Sequence, residues 1–221
     1  MPARWLTFDC FGTLVDWRHG FTVTGELLFP GRGVDVREAY LRHEPEIERQ
    51  VPAPRYRDVL TEGLRRAAAE LALPLHADDA SALALTLPSW PVFPDVAGAL
   101  AACVDGGWRL ALLTNCDREL IALTRRRLPV AFDAVVTAED AGTYKPDPAH
   151  FRLFRELFAP ERWIHVAQSH HHDIRPSHAL GIPNVWINRL GESDDPALAD
   201  RILPDLSRLA VTVQELAATS A

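Results

Sequence analysis

From residue 96 onward the chain alternates between helix-length segments and short apolar runs, and this alternation constrains the fold more than any other feature. Residues 96–105 read as a helix that stops at Gly106-Gly107, and residues 109–113 as a strand. The series continues with a helix over 118–127, a strand over 134–136, a helix over 149–158 and a strand over 163–167. It closes with a short helix over 174–180, ended by Gly181, and a strand over 184–187. Strands that alternate with helices form βαβ units, and βαβ units build a parallel sheet. An earlier run, Trp5-Leu6-Thr7-Phe8, supplies one more buried strand, which ends at Asp9 before a turn at Gly12. Residues 190–203, with Asp194-Asp195, predict an exposed excursion before a final strand near Val211 and a short C-terminal helix.

Between these strand regions, residues 15–90 carry a mostly helical pattern. One segment covers 36–50 and is interrupted by Pro45; a second covers 56–73, and a third 78–87. Pro88 and Pro91 then break the pattern and mark a boundary. The chain of 221 residues therefore divides into an α/β core, residues 1–14 and 91–221, and a helical insertion, residues 15–90. A net charge of −7 argues against nucleic-acid binding and against an anionic membrane surface. No apolar run is long enough to span a bilayer, and the first residues lack a signal-peptide core. The three cysteines form no C-x-x-C pair, so the expectation is a reduced, cytoplasmic protein without a disulfide framework.

Parallel α/β sheets place their sites at the carboxyl ends of the strands. Asp9 ends the first strand, Thr114-Asn115 the second, Lys145 follows the third and Asp173 follows the fourth. Lys145 is also the only lysine among 23 basic residues. A chain that otherwise uses arginine, a planar fork of donors, uses a compact ammonium at this one position. A carboxylate held by backbone N–H groups at a strand end stays ionised and can act as a nucleophile, forming a covalent ester.

Phe8-Asp9-x-Phe11-Gly12-Thr13-Leu14 resembles the first motif of the haloacid dehalogenase superfamily. Leu112-Leu113-Thr114-Asn115 resembles the second, Tyr144-Lys145-Pro146-Asp147 the third, and Ser169-His170-His171-His172-Asp173 the fourth, in the family's order. The resemblance implies a Rossmann-like parallel-sheet core with a helical cap domain inserted after the first motif. Superfamily phosphatases carry a second Asp two residues after the nucleophile, to protonate a leaving alkoxide. Here that position is Phe11, which donates no proton, and a departing halide needs none. Phe29-Pro30-Gly31-Arg32-Gly33 and Val185-Trp186-Ile187-Asn188-Arg189 also resemble the L-2-haloacid dehalogenases.

That resemblance implies a hydrolase for small 2-haloalkanoic acids. Asp9 displaces halide from the α-carbon, and water then cleaves the ester to give the inverted 2-hydroxy acid. Lys145 holds Asp9 and stabilises the oxyanion. Asp173 fixes Lys145 and helps position water. Thr13 and Thr114 bond Asp9 or the substrate carboxylate, and Asn115 sits in the halide region. The cap arginine of the family is assigned to Arg42, although an ungapped count from Gly33 falls on Leu41.

Departures from the pattern are Phe151, where the dehalogenases carry a tyrosine, and the three histidines, where they carry Ser-Asn. His170 is assigned to the site as a base for hydrolysis. Trp17 and Trp90 read as core, with a pocket at the cap junction as the other possibility. Superfamily phosphatases hold Mg²⁺ between the nucleophile, the carbonyl two residues on and an acidic residue of the fourth motif. Asp9, Phe11 and Asp173 would be those groups here, but a metal would draw off the charge Asp9 needs, so a metal-free site is expected. The alternatives are an Mg²⁺-dependent phosphatase of a small metabolite and a catalytically weak protein on the same fold. The expected partner is a small carboxylate, with a second copy of the chain as the family-level expectation.

Overall fold

The computed structural model describes residues 4–219. Its centre is a six-stranded, fully parallel sheet of order β3-β2-β1-β4-β5-β6. The strands are β1 (Arg4–Phe8), β2 (Arg109–Thr114), β3 (Ala134–Thr137), β4 (Arg162–Ala167), β5 (Asn184–Ile187) and β6 (Arg201–Leu203). Side chains alternate between the two faces, as a strand requires. Leu6, Phe8, Leu110, Leu112, Ile164 and Val166 belong to one buried cluster; Trp5, Ala111, Leu113 and Trp163 belong to another. Helices cover both faces, which explains why these strands read as continuous apolar runs. The first face is covered by α5 (Val96–Asp105), α6 (Arg118–Thr124) and α10 (Leu209–Thr219), and the second by α8 (Ala149–Phe158).

Four helices lie between β1 and α5: α1 (Trp17–Leu28), α2 (Gly33–Glu48), α3 (Tyr56–Glu70) and α4 (Ala82–Thr86). Among them α2 packs between α1 and α3, and α4 packs against both α1 and α3. Asp16 caps α1 by accepting from the His19 N–H at 3.0 Å. Two short helices follow strand ends, α7 (Ala138–Ala141) after β3 and α9 (Arg175–Ala179) after β4. Thr137 and Asp140 form a reciprocal cap at the start of α7.

Two expectations are corrected. Pro45 does not interrupt α2, which continues to Glu48. Pro45 lies in the last turn, and Ile47 beyond it is buried, so packing outweighs one missing hydrogen bond. Val211 lies within α10 and is 57% exposed; the last strand is β6 instead. The buried residues Leu209, Thr212, Val213, Leu216 and Ala217 recur at helical spacing, and the β-branched Val211 points away from them.

Candidate active site

Asp9 follows the last residue of β1, and its N–H donates to the Val166 carbonyl at 3.1 Å, so neighbouring β4 holds its backbone. The chain then turns back, with the Leu14 and Val15 N–H groups donating to the Cys10 carbonyl at 2.8 and 3.0 Å. The turn requires φ +100° at Gly12, where an added Cβ would also lie 2.7 Å from the Gln168 amide oxygen. It brings the Thr13 hydroxyl back to donate to Asp9 Oδ2 at 2.9 Å and to accept from the Gln168 N–H at 2.9 Å. Arg189, after β5, donates to the Thr13 carbonyl at 3.0 Å and to Asp95 at 2.8 Å.

Lys145 lies beneath Asp9 and is 1% exposed. Its ammonium donates to Asp9 Oδ1 at 3.1 Å, to the Leu113 carbonyl at 2.8 Å and to Asp173 Oδ1 at 2.6 Å. An ammonium has three N–H donors, and these contacts occupy all of them. Burial opposes the charge on Lys145, but Asp173 and Asp9 outweigh it and raise its pKa. Burial likewise works to raise Asp173, yet Lys145 and His165 hold that carboxyl well below the usual range. Asp9 is raised, chiefly by burial, with Lys145 opposing and Asp173 reinforcing. The closest ion pair is therefore Lys145 with Asp173, and Asp9 shares the same ammonium from the cavity side.

Beneath Asp173 runs a chain of buried polar groups that the sequence reading did not identify. His165 Nε2 lies 3.0 Å from Asp173 Oδ1, and His165 Nδ1 lies 2.9 Å from the Thr7 hydroxyl. Trp163 Nε1–H donates to the same hydroxyl at 2.7 Å. Thr7 and His165 sit within β1 and β4, so they were read as parts of apolar strands. The available signal was a polar group within a buried strand, which requires a partner. Phe151 packs its ring edge-on against His165 at 4.9 Å, below the site and outside the cavity lining.

Thr114 and Asn115 end β2 as the strand-end rule requires. Asn115 accepts from the Lys145 N–H at 2.7 Å and donates to the Lys145 carbonyl at 3.1 Å, fixing that residue's backbone. The Thr114 hydroxyl accepts from the Cys116 N–H at 3.2 Å. The three histidines occupy one turn of π-helix, His170–Ile174; the His171 and His172 rings meet edge-on at 4.9 Å, and His170 packs apart from them on Trp186. His170 is buried edge-on against Trp186, its Nε2 is 3.0 Å from the Asp195 carbonyl, and its Nδ1 has no hydrogen-bond partner. His171 is exposed. His172 bonds Ser169, and burial lowers its pKa to about 4. Among the described residues no group of three or more His, Cys, Asp or Glu is arranged to hold a metal.

A cavity of about 290 Å³ lies above Asp9. Its lining includes Asp9, Phe11, Thr114, Asn115, Lys145, His170 and Asp173. Thr13 supports it from behind through Asp9. Trp17 and Trp90 line it as well, so both serve as pocket walls. Gly20 permits the Trp90 position, because a Cβ there would lie 2.2 Å from Trp90 Cγ. Arg42 does not reach the cavity. Its guanidinium pairs with Glu70 and is 55% exposed. Each residue turns a helix by about 100°, so Leu41 faces the cavity and Arg42 faces outward. The α2 wall instead presents Tyr40, Leu41, Glu44 and Glu48, none of which the sequence reading selected. Glu44 accepts from the Tyr40 and Tyr56 hydroxyls at 2.9 and 3.2 Å. Burial and neighbouring Glu44 push the unpaired Glu48 up to about 9.

A family model for haloacid dehalogenase-like hydrolases matches residues 3–176. Haloacetate dehalogenase H-2 of Moraxella sp. (strain B) is 30% identical over 200 residues, covering 86% of this chain and 88% of that protein. (S)-2-haloacid dehalogenase 1 of Pseudomonas sp. (strain CBS-3) is 27% identical over 213 residues, covering 90% of each. The crystal structure of L-2-haloacid dehalogenase from Xanthobacter autotrophicus superposes with a TM-score of 0.83 at 19% identity, covering 96% of this chain and 98% of that one. These matches agree with the parallel sheet and with the four motif segments gathered at its carboxyl edge. The chain belongs to the haloacid dehalogenase-like hydrolases.

Proposed function

We propose that this hydrolase cleaves the carbon–halogen bond of small organic halides, 2-haloalkanoic acids among them, through a covalent ester on Asp9. The observation that carries the reading is the pairing of a held carboxylate with an apolar neighbour. Asp9 is gripped through both oxygens by Lys145 and Thr13, while Phe11 stands where an acid would protonate an alkoxide. Asp9 attacks the carbon, the carbon–halogen bond breaks, and halide leaves with the bonding pair. Water then attacks the Asp9 carboxyl carbon. Lys145, already at Oδ1, stabilises the oxyanion, and the former substrate departs as an alcohol with inverted configuration. Asp9 regains a carboxylate that carries one oxygen from water, and one proton is released. His170 is the base assigned to that water, through Nδ1, which makes no hydrogen bond and lies 3.5 Å from Asp194 Oδ1.

The reading requires no resident metal. Asp173 Oδ1 is occupied by Lys145 and His165, and the Asp9 oxygens by Lys145 and Thr13. The unpartnered Asp173 Oδ2 is the one buried oxygen that favours the Mg²⁺-dependent phosphatase alternative. The helical block α1–α4 serves as the cap over the cavity. Purified protein would be given a panel of chlorinated acids, amides and ammonium compounds, and separately a chromogenic phosphate ester, each with Mg²⁺ or EDTA. Halide release that survives EDTA is expected. Release of phosphate alone, dependent on Mg²⁺, would overturn the reading. A single turnover in ¹⁸O-labelled water should leave the label in Asp9 by peptide mass spectrometry, with none in the product.

A further inference from the structure

The cavity wall built by α1, α2 and Trp90 is aromatic and carries two adjacent acidic side chains, Glu44 and Glu48. Phe21 lies 4.8 Å from Tyr40 and 6.3 Å from Trp90, and Trp90 meets Phe11 at 6.1 Å, all between ring centroids. These four rings form a continuous wall along the cavity. Glu48 lines it without a hydrogen-bond or ion-pair partner, and Glu44 beside it is held by Tyr40 and Tyr56. Lys145 has no donor left, because Asp9, Leu113 and Asp173 occupy its three N–H groups. Among the described residues Arg18 is the one guanidinium in the lining and lies 5.5 Å from the Trp17 ring, away from the Phe21–Tyr40–Trp90 contacts.

A second observation comes from the floor. Asp173 is fully buried and lines the cavity, and its Oδ2 has no hydrogen-bond partner. His170 Nδ1 is buried without a hydrogen-bond partner and lies 3.5 Å from Asp194 Oδ1, while Nε2 is 3.0 Å from the Asp195 carbonyl. The unsatisfied Asp173 Oδ2 is an acceptor, and it calls for a ligand that donates or carries positive charge. Aromatic faces attract the same kind of group, since a cation over a ring is drawn by its quadrupole.

We propose that this cavity selects substrates carrying an alkylammonium group, seated between the Phe21–Tyr40–Trp90 wall and the Glu44–Glu48 carboxyl pair, which a bound cation would ionise. This inference rests on the carbon–halogen reading for the reacting end and names what the far end of the substrate must be. A carboxylate at that end would meet Glu44 and Glu48 in place of the arginine that the sequence comparison placed there.

The probes are (2-chloroethyl)trimethylammonium, its uncharged isostere with carbon in place of nitrogen, and 2-chloropropionate. Each is titrated by calorimetry into the Asp9→Asn variant, in which turnover is blocked. The ammonium compound should bind roughly tenfold more tightly than its isostere, with 2-chloropropionate weakest. Glu48→Gln should remove most of that preference. The same comparison in the wild-type chain, by quenching of tryptophan fluorescence, needs no variant. Tighter binding of 2-chloropropionate, or a preference unchanged in Glu44→Gln/Glu48→Gln, would overturn the inference. Halide release by the wild-type chain is read separately. An ammonium preference without halide release keeps this inference and removes the carbon–halogen reading, and halide release without the preference does the reverse.

Discussion

His165 donates to the same oxygen of Asp173 that Lys145 grips, at 3.0 Å against 2.6 Å. The hydrogen-bond network assigns the tautomer. Trp163 can only donate to Thr7, so the Thr7 hydroxyl is free to donate to His165 Nδ1, and the ring proton stays on Nε2 toward Asp173. The His165 N–H holds the Asp173 carboxylate in position beside Lys145. His165 is a positioning residue, acting on Asp9 through two intermediates.

His165→Leu should lower kcat by about tenfold or more with KM little changed, and should cost about 1–3 kcal/mol of stability from the Thr7 and Asp173 groups left unpaired. His165→Gln, whose amide can still donate to Asp173, should recover most of kcat. Steady-state kinetics with urea unfolding checks both. Equal loss in the two variants would reduce His165 to a packing role.

Asp9 should set the acid limb of the reaction. Its pKa is raised above 3.8, chiefly by burial, so the nucleophile gains a proton at a higher pH than a free carboxyl does. Activity is therefore complete above the folded value and falls as pH drops through it. A kcat/KM profile should show an apparent pKa above the ordinary aspartate range, and an acid limb at or below that range would contradict the burial argument.

Asp173 should make the fold acid-sensitive in the complementary sense. Its folded pKa is depressed, so its contribution to stability is fully present above the unfolded carboxyl value and declines as pH falls through the folded one. Asp173→Asn should flatten the acid side of the stability curve and lower stability at neutral pH by about 3 kcal/mol or more, since Lys145 loses its closest partner. Thermal melts across the acid range measure both effects.

Lys145→Arg should be far from conservative. The site is 1% exposed and fits a point charge among three acceptors, and a planar fork cannot reach all three. A loss of roughly a hundredfold in halide release is expected, because oxyanion stabilisation depends on this donor. Near-normal turnover would show that any fixed cation suffices.

Leu41→Arg should introduce a cation into the cavity on the face that Arg42 does not share. Binding of 2-chloropropionate should strengthen by roughly tenfold, while the ammonium probe weakens. Calorimetry on the Asp9→Asn background reads both directions in one experiment.

The residues visible in the sequence are those whose positions follow from the carboxyl edge of a parallel sheet. Asp9, Thr114, Asn115, Lys145 and Asp173 stand at or just beyond strand ends, and chain order alone brings them to one rim. Arg42 was misplaced by one residue because a helix face is set by rotation, and a single step moves a side chain from cavity to solvent. Thr7, His165 and Trp163 were hidden for the opposite reason, since a strand buried on both faces gives no period that marks a polar member. Glu44 and Glu48 resembled an ordinary solvated helix face until α1 and α3 enclosed it. The strand expected near Val211 is instead part of α10, where helical burial spacing is the deciding signal.

Thr13 has one further consequence. Its hydroxyl joins Asp9 to the Gln168 amide, and its carbonyl joins the same turn to Arg189 and Asp95. The Asp9 carboxylate is thereby anchored to the sheet, while Tyr40, Leu41, Glu44 and Glu48 all stand on one face of α2. The hold on Asp9 and the α2 wall are thus inherited on separate stretches of chain. Descendants of this sequence could reshape that wall through a handful of codons between 40 and 48, with the Asp9 carboxylate never leaving its mooring.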